Sequence, residues 1–179
     1  LCNADRRRRQ RRLRGRPVVM RSTIRHATAA DAARIRTLQA ELTEPAPTLL
    51  NAALTQVDTA GSAAATAADD MSPAIGGTFR LFVSVNDADL AVGYLLAVTG
   101  NTTHIAELVV DPGYRRDGRA KALLATLLKQ HSQPITVHVA VDNTAARSLY
   151  DAVGFQTQTR SDDRFEDSAG VTLRYAGED

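Results

Sequence analysis

Apolar residues along the chain alternate between two spacings, every second position and every third or fourth, and the two kinds of segment interleave. A short strand begins near Ile24 (TIRHAT) and leads into a helix, with Thr28 and Asp31 at N-cap spacing and Ile35, Leu38 and Leu42 as its stripe. Pro45 and Pro47 stop that helix. A second runs from Thr48 to Val57 and buries Leu49, Leu50, Ala53, Leu54 and Val57. Phe79, Leu81, Val83 and Val85 then alternate as an antiparallel strand with one buried face. Asn86 to Asp89 turn the chain, and Ala91 to Val98 return as a more fully buried strand, with Gly93 a candidate bulge position.

Gly100 to Thr103 close a second hairpin, and Ile105, Leu108, Val109 and Val110 form a fourth strand ended by Asp111-Pro112-Gly113. Ala120, Leu123, Leu124, Leu127 and Leu128 repeat on one face of a helix over 118–131. Ile135, Val137, Val139 and Val141 alternate as a strand; a helix joins it to the strand ending at Val110, so the two should run parallel with a right-handed crossover. Asn143 caps a last helix carrying Ala146, Leu149, Tyr150 and Val153, and Gly154 ends it at the C′ position. Phe155 to Arg160 and Val171 to Tyr175 close the chain as two strands around an acidic loop, 161–169.

With 179 residues, 44% of them hydrophobic, the chain can bury one sizeable core, and a single domain over 20–176 is expected, with 58–77, small and polar, as a mobile loop inside it. No apolar run approaches the ~18 residues of a membrane span. Four Phe, four Tyr and no Trp argue against a base-stacking surface. The one cysteine, Cys2, excludes a disulfide framework and a thiolate metal site and suits a reducing, cytoplasmic setting. No His, Asp or Glu spacing suggests a metal.

The net charge of +2 conceals a split. Residues 1–19 hold eight arginines and one acid, Asp5, whereas the remainder carries 14 basic against 19 acidic residues. The tail lacks hydrophobic periodicity, repels itself and is expected to be disordered. It reads either as a phosphate-contacting arm for nucleic acid or the ribosome, or as an extension upstream of Met20. Val18-Val19-Met20 is too short for the apolar core of a signal peptide.

Between the strand ending at Val110 and the next helix lies Arg115-Arg116-Asp117-Gly118-Arg119-Ala120. A glycine at the mouth of a helix lets a ligand approach the backbone, and unpaired N–H groups with the helix dipole favour an anion there. The spacing lacks the Gly-Lys-Ser/Thr of a P-loop and the three glycines of a dinucleotide fingerprint. It resembles the Arg/Gln-x-x-Gly-x-Gly/Ala loop of the GCN5-related N-acetyltransferases, whose amides hold the pyrophosphate of acetyl-CoA. Asn143-x-x-Ala146-x-x-Leu149-Tyr150-x-x-x-Gly154-Phe155 resembles that family's second signature and follows at the expected place. Within the family the chain is most similar to the ribosomal-protein alanine N-acetyltransferases, through VDNTAARSLYDAVGF and Arg160…Phe165-Glu166-Asp167. It departs from them in having His138 where they carry a glutamate, and Arg164-Phe165 where they carry paired tyrosines.

The resemblance implies the acetyl-CoA N-acyltransferase fold, of α/β (α+β) class: a mixed, mostly antiparallel sheet with a parallel central strand pair and helices on both faces. It implies acetyl-CoA as co-substrate, and no metal. The cradle would be Arg116, Asp117, Gly118, Arg119, Ala120 and Lys121, with Arg115 and Arg119 adding charge. The backbone of Leu108, Val109 and Val110 would meet the pantetheine arm and the thioester carbonyl, and Asn143 would add a hydrogen bond. Tyr150 would give its proton to the CoA thiolate; an ordinary pKa of about 10 suits that role. The base is open between Glu107, a charge among apolar neighbours, and His138, whose imidazole titrates near neutrality; direct attack by a neutral amine needs neither. His26, His104 and His131 have no motif context.

The reaction implied is N-acetylation of a primary amine, a protein N-terminus among the candidates. The alternatives are a small amine (aminoglycoside, polyamine or amino acid), which the acidic body would attract, and a non-catalytic acetyl-CoA or ribosome-binding module. A monomer or homodimer is expected.

Overall fold

The computed structural model describes residues 23–62, 78–161 and 169–176. The Arg-rich tail, most of the 58–77 loop and the centre of the acidic loop lie outside the described residues. Among the described residues, seven strands form one sheet: β1 (Thr23–His26), β2 (Thr78–Val85), β3 (Ala91–Thr99), β4 (Thr103–Val110), β5 (Ile135–Ala140), β6 (Gln156–Ser161) and β7 (Gly170–Tyr175). Their order is β1-β2-β3-β4-β5-β7-β6. Only β4 and β5 run parallel; every other neighbouring pair is antiparallel. Four α-helices among the described residues, α1 (Ala32–Gln39), α2 (Pro47–Ser62), α3 (Arg119–Gln130) and α4 (Thr144–Asp151), complete the mixed α/β fold expected from the sequence.

The helices cover opposite faces. Ile35 and Leu38 of α1, with Leu50 and Leu54 of α2, share one core with Leu81, Val83, Tyr94, Leu96 and Val109. Leu123, Leu124 and Leu127 of α3, with Tyr150 of α4, share the other with Phe82, Leu95, Ile105, Val137, Val139 and Leu173. β2 was expected to bury one face; it buries both, since it lies between the two helix layers and even Ser84 is fully inside. Period-two alternation distinguishes apolar from polar positions, and here Phe82 fills a position opposite Leu81 and Val83.

Helix limits differ from those read off the periodicity. A 3₁₀ turn, Ala29–Asp31, precedes α1, and α1 stops at Gln39, leaving Leu42 beyond it. The Thr28 N–H and hydroxyl both donate to Asp31 Oδ2 (2.8 and 2.9 Å), and the Arg25 guanidinium pairs with the same carboxylate at 2.7 and 3.1 Å. Burial alone would raise the Asp31 pKa; the bonds from Arg25 and Thr28 outweigh it and hold the carboxyl below its ordinary value. Pro47 opens α2 instead of preceding it, because the first helical position needs no N–H donor. α2 also runs to Ser62, so the start of the segment expected to be a mobile loop is helical. Its small polar residues carry no stripe to reveal that, but the Thr59 hydroxyl returns to the Thr55 and Gln56 carbonyls within the helix.

Two irregularities shape the middle of the sheet. Opposite β2, the register passes from Ser84↔Gly93 to Val85↔Ala91, so the bulge expected near Gly93 falls at Val92. Gly93 itself is needed for a close approach: a Cβ there would sit 2.8 Å from the Val109 carbonyl oxygen and 3.2 Å from Val110 Cγ2. The second irregularity is in β4, where Leu96 pairs with Glu107 and Ala97 with Ile105, leaving Ala106 unmatched. Gly93→Ala should push β4 away from β3 and lower unfolding stability by about 1–3 kcal/mol, read as a lower urea midpoint at unchanged slope.

Candidate active site

The Ala106 bulge sits where β4 loses its second neighbour. Pairing with β5 covers Thr103 to Ile105 only, ending at Ile105↔Val137, while β5 continues alongside β7 to Ala140. A bulge bends a strand and increases its twist. Beyond it, the β4 edge from Ala106 to Val110 is not paired to β5, and a cleft of about 540 Å³ opens. Leu108, Val109 and Val110 line one wall; Tyr114, Arg115, Arg116, Gly118, Arg119, Ala120 and Lys121 line the next. Asn143, Ala145, Ala146, Leu149 and Tyr150 form the α4 wall, and Glu41 and Leu42 reach in from the α1–α2 connection. The cleft thus gathers most of the residues predicted to bind a cofactor, together with Tyr150; Asp117, Glu107 and His138 are not in its lining.

The loop is held from below. Asp111 Oδ1 accepts the Gly113 N–H at 2.9 Å, and Arg34 joins Asp111 Oδ2 to the Ala91 carbonyl. Arg115 Nε donates to the Val110 carbonyl at 3.0 Å, and its Nη2 lies 4.0 Å from Glu41 Oε2. Arg116 and Gly118 both take left-handed backbone conformations, φ 68° and 74°. The first helical bond runs from the Ala122 N–H to the Gly118 carbonyl, so the amides of Arg119, Ala120 and Lys121 precede the hydrogen-bonded ladder. A Cβ built on Gly118 would meet no atom within 4 Å, which leaves room for a ligand against the backbone. These amides, the helix dipole and the exposed Arg116 and Lys121 fit a diphosphate. Arg119, read from the sequence as a second cation of the loop, instead turns its guanidinium under β2, donating to Ser84 Oγ and the Val85 carbonyl at 3.0 Å each.

On the facing wall both ends of α4 are specified. Asn143 Oδ1 accepts the Ala146 N–H at 3.0 Å. At the other end the Phe155 N–H reaches the Tyr150 carbonyl and the Gly154 N–H the Asp151 carbonyl, each 3.0 Å, with Gly154 at φ 97°. That pair of bonds normally brings an apolar contact across the helix end, and here Phe155 packs edge-on against Tyr150 at 5.1 Å. The Leu-Tyr-x-x-x-Gly-Phe spacing therefore fixes where the Tyr150 ring stands. Burial holds its phenol pKa above the ordinary value, so it is protonated at neutral pH; its hydroxyl has no hydrogen-bond partner among the described residues.

Glu107 is 3% exposed and faces the α1/α2 side of the sheet. Its Oε1 accepts from Gln39 Nε2 (2.7 Å) and the Ala46 N–H (2.6 Å), and Oε2 from the Tyr94 hydroxyl (2.8 Å). The carboxylate thereby fixes the α1–α2 connection, from which Leu42 and Glu41 reach the cleft. Burial, the Glu107 charge and that hydrogen bond together hold the Tyr94 phenol far above its ordinary pKa. Gln39 and Tyr94 escaped the sequence reading, yet a signal was there: a tyrosine and a glutamate each interrupt an otherwise apolar strand, and each needs a partner. His138, on β5, has Nδ1 3.0 Å from Thr172 Oγ1, and its ring lies 4.6 Å from that of His104.

Residues 39–155 match the model of the Acetyltransferase (GNAT) family, a span that contains the whole cleft. The chain belongs to the GNAT acetyltransferase family. Members use acetyl-CoA as acetyl donor, and the loop and cleft described above suit it. Over 80 residues this GNAT chain is 40% identical to the mycothiol acetyltransferase of Clavibacter sepedonicus. That stretch is 44% of the chain but 26% of the relative, so the chain spans about a quarter of the relative's length. A phosphinothricin acetyltransferase from Sinorhizobium meliloti, solved in complex with acetyl-CoA, superposes with TM-score 0.66 at 16% identity, covering 89% of this chain and 90% of that one. The ribosomal-protein-S18-alanine N-acetyltransferase of Escherichia coli gives 0.61 at 17% identity, covering 88% and 97%. At such identities the superpositions establish the shared fold.

Because three donors converge on Glu107, Glu107→Ala should leave them unpartnered in the core and cost on the order of 3 kcal/mol of unfolding stability. Glu107→Gln, which can still accept from Ala46 and Gln39 while Tyr94 turns to accept, should lose less than half as much by chemical denaturation.

Proposed function

We propose that this GNAT enzyme moves the acetyl group of acetyl-CoA directly to a primary amine while both substrates are bound. The observation that carries the reading is the meeting, on one cleft, of the open-backed Gly118 loop and the unpartnered hydroxyl of Tyr150. Acetyl-CoA supplies an acyl carbon activated as a thioester. The amides of Arg119 to Lys121, with the charges of Arg116 and Lys121, hold the diphosphate; Asn143 adds a hydrogen bond; and the free backbone edge near Val109 receives the thioester carbonyl.

A neutral amine nitrogen forms its bond to the acyl carbon as the carbon–sulfur bond breaks. Tyr150 gives its proton to the departing sulfur, and the nitrogen gives up a proton to the base. Glu107 is the first candidate for that base. Three of its roughly four acceptor positions are taken, so its part runs through a water at the remaining one. His138, steadied by Thr172, is the second.

Two acceptor classes are supported. A protein N-terminal amine is supported by the likeness of VDNTAARSLYDAVGF to the ribosomal-protein alanine N-acetyltransferases, and a small-molecule amine by the local identity to a mycothiol acetyltransferase and by the acidic body. Release of free thiol from acetyl-CoA, followed across a panel of N-terminal peptides and small amines, separates them; no turnover with any amine would overturn the enzymatic reading. Tyr150→Phe should lower kcat by about 10²-fold or more while the Kd for acetyl-CoA stays within about threefold, and wild-type turnover would remove the acid role. Gly118→Glu should abolish acetyl-CoA binding by calorimetry; unchanged affinity would remove the cradle.

A further inference from the structure

Three charged side chains of the described residues are buried, and two of them are compensated. Asp31 pairs with Arg25, and Glu107 accepts three hydrogen bonds. Arg119 is the exception. It is 3% exposed, and no ion pair reaches it among the described residues. Its Nη1 finds only two neutral acceptors, Ser84 Oγ and the Val85 carbonyl. Its Nε is buried with no hydrogen-bond partner, and the Tyr114 ring stacks 5.2 Å from Cζ. A buried cation without a counter-charge is costly, and a cation in the first turn of a helix is on the wrong side of its dipole. Arg119 is the first residue of α3, so both penalties fall on one side chain.

Both penalties would be relieved by the same thing, an anion at the N-terminus of α3. We propose that Arg119 is a positioning residue that keeps an unbalanced positive charge beneath the cleft, and that the diphosphate of bound acetyl-CoA is its counter-charge. Its hydrogen bonds tie the start of α3 to β2, and its charge adds to the field of the amides above. The inference rests on the reading of the Gly118 loop as the diphosphate cradle. By reciprocity, whatever Arg119 adds to cofactor affinity, the cofactor returns as stability to the folded chain.

The test compares the full chain with Arg119→Met, and with Arg119→Gln, which is neutral but still able to donate to Ser84 and Val85. Thermal unfolding is followed with and without CoA, and affinities for CoA and for inorganic pyrophosphate are measured by calorimetry at two salt concentrations. Both variants should match or exceed the wild-type midpoint without ligand, yet show a smaller rise with CoA. Affinity for both probes should fall on the order of tenfold, with a shallower salt dependence. A structural tether alone would do the reverse: a lower midpoint without ligand and an undiminished rise with CoA, which overturns the proposal. If Arg119→Met does not fold, Arg119→Gln decides by the same two readings. A wild-type chain that gains nothing from CoA or pyrophosphate overturns the cradle itself, whereas a wild-type gain fully retained in both variants overturns only the role of Arg119.

Discussion

β4 has to satisfy two demands that conflict. Along its whole length it must stay hydrogen-bonded to β3, because backbone polar groups in the middle of a sheet cannot go unpaired. On its other side it must leave β5 after three residues, so that its remaining edge faces a cleft. The bulge at Ala106 reconciles them, adding one residue without a partner at the point of departure. Gly93 supports the same region from the other side, where any side chain would strike the Val109 carbonyl. The cleft is therefore a consequence of sheet register more than of any side chain that lines it.

Around that opening the chain divides its polar residues by task. Glu107 and Tyr94 satisfy each other inside the α1/α2 layer and hold the connection that overhangs the cleft. Asn143 and Gly154 close the two ends of α4 and so set the height of Tyr150. Arg34 and Arg115 anchor the chain where it leaves β4, one through Asp111 and the other through the Val110 carbonyl. Few of these groups would touch a substrate, and most decide where the ones that do will stand.

Much of this was legible in the sequence because it is local. Helix caps, turn glycines and the alternation of the strands depend on residues a few places apart, and the Gly118 loop and the Asn143–Phe155 segment are each contiguous. What escaped was non-local. Nothing near Gln39 announces that its amide meets a carboxylate 68 residues away, and nothing near Arg119 announces that it will point at Ser84, 35 residues back. The end of α2 was missed for the opposite reason: small polar residues continue a helix without leaving a stripe. The two candidate bases were named, but spacing could not tell that one would be wrapped in three donors.

The Ala46 amide carries one more implication. Ala46 precedes Pro47, a position biased towards extended backbone, and its N–H points inward to Glu107, 61 residues further along. Closing a loop of that size costs chain entropy that the bond and its neighbours must repay, so the connection between α1 and α2 is tied to β4 as well as to its own helices. The overhang of the cleft thus depends on a contact that spans a third of the chain.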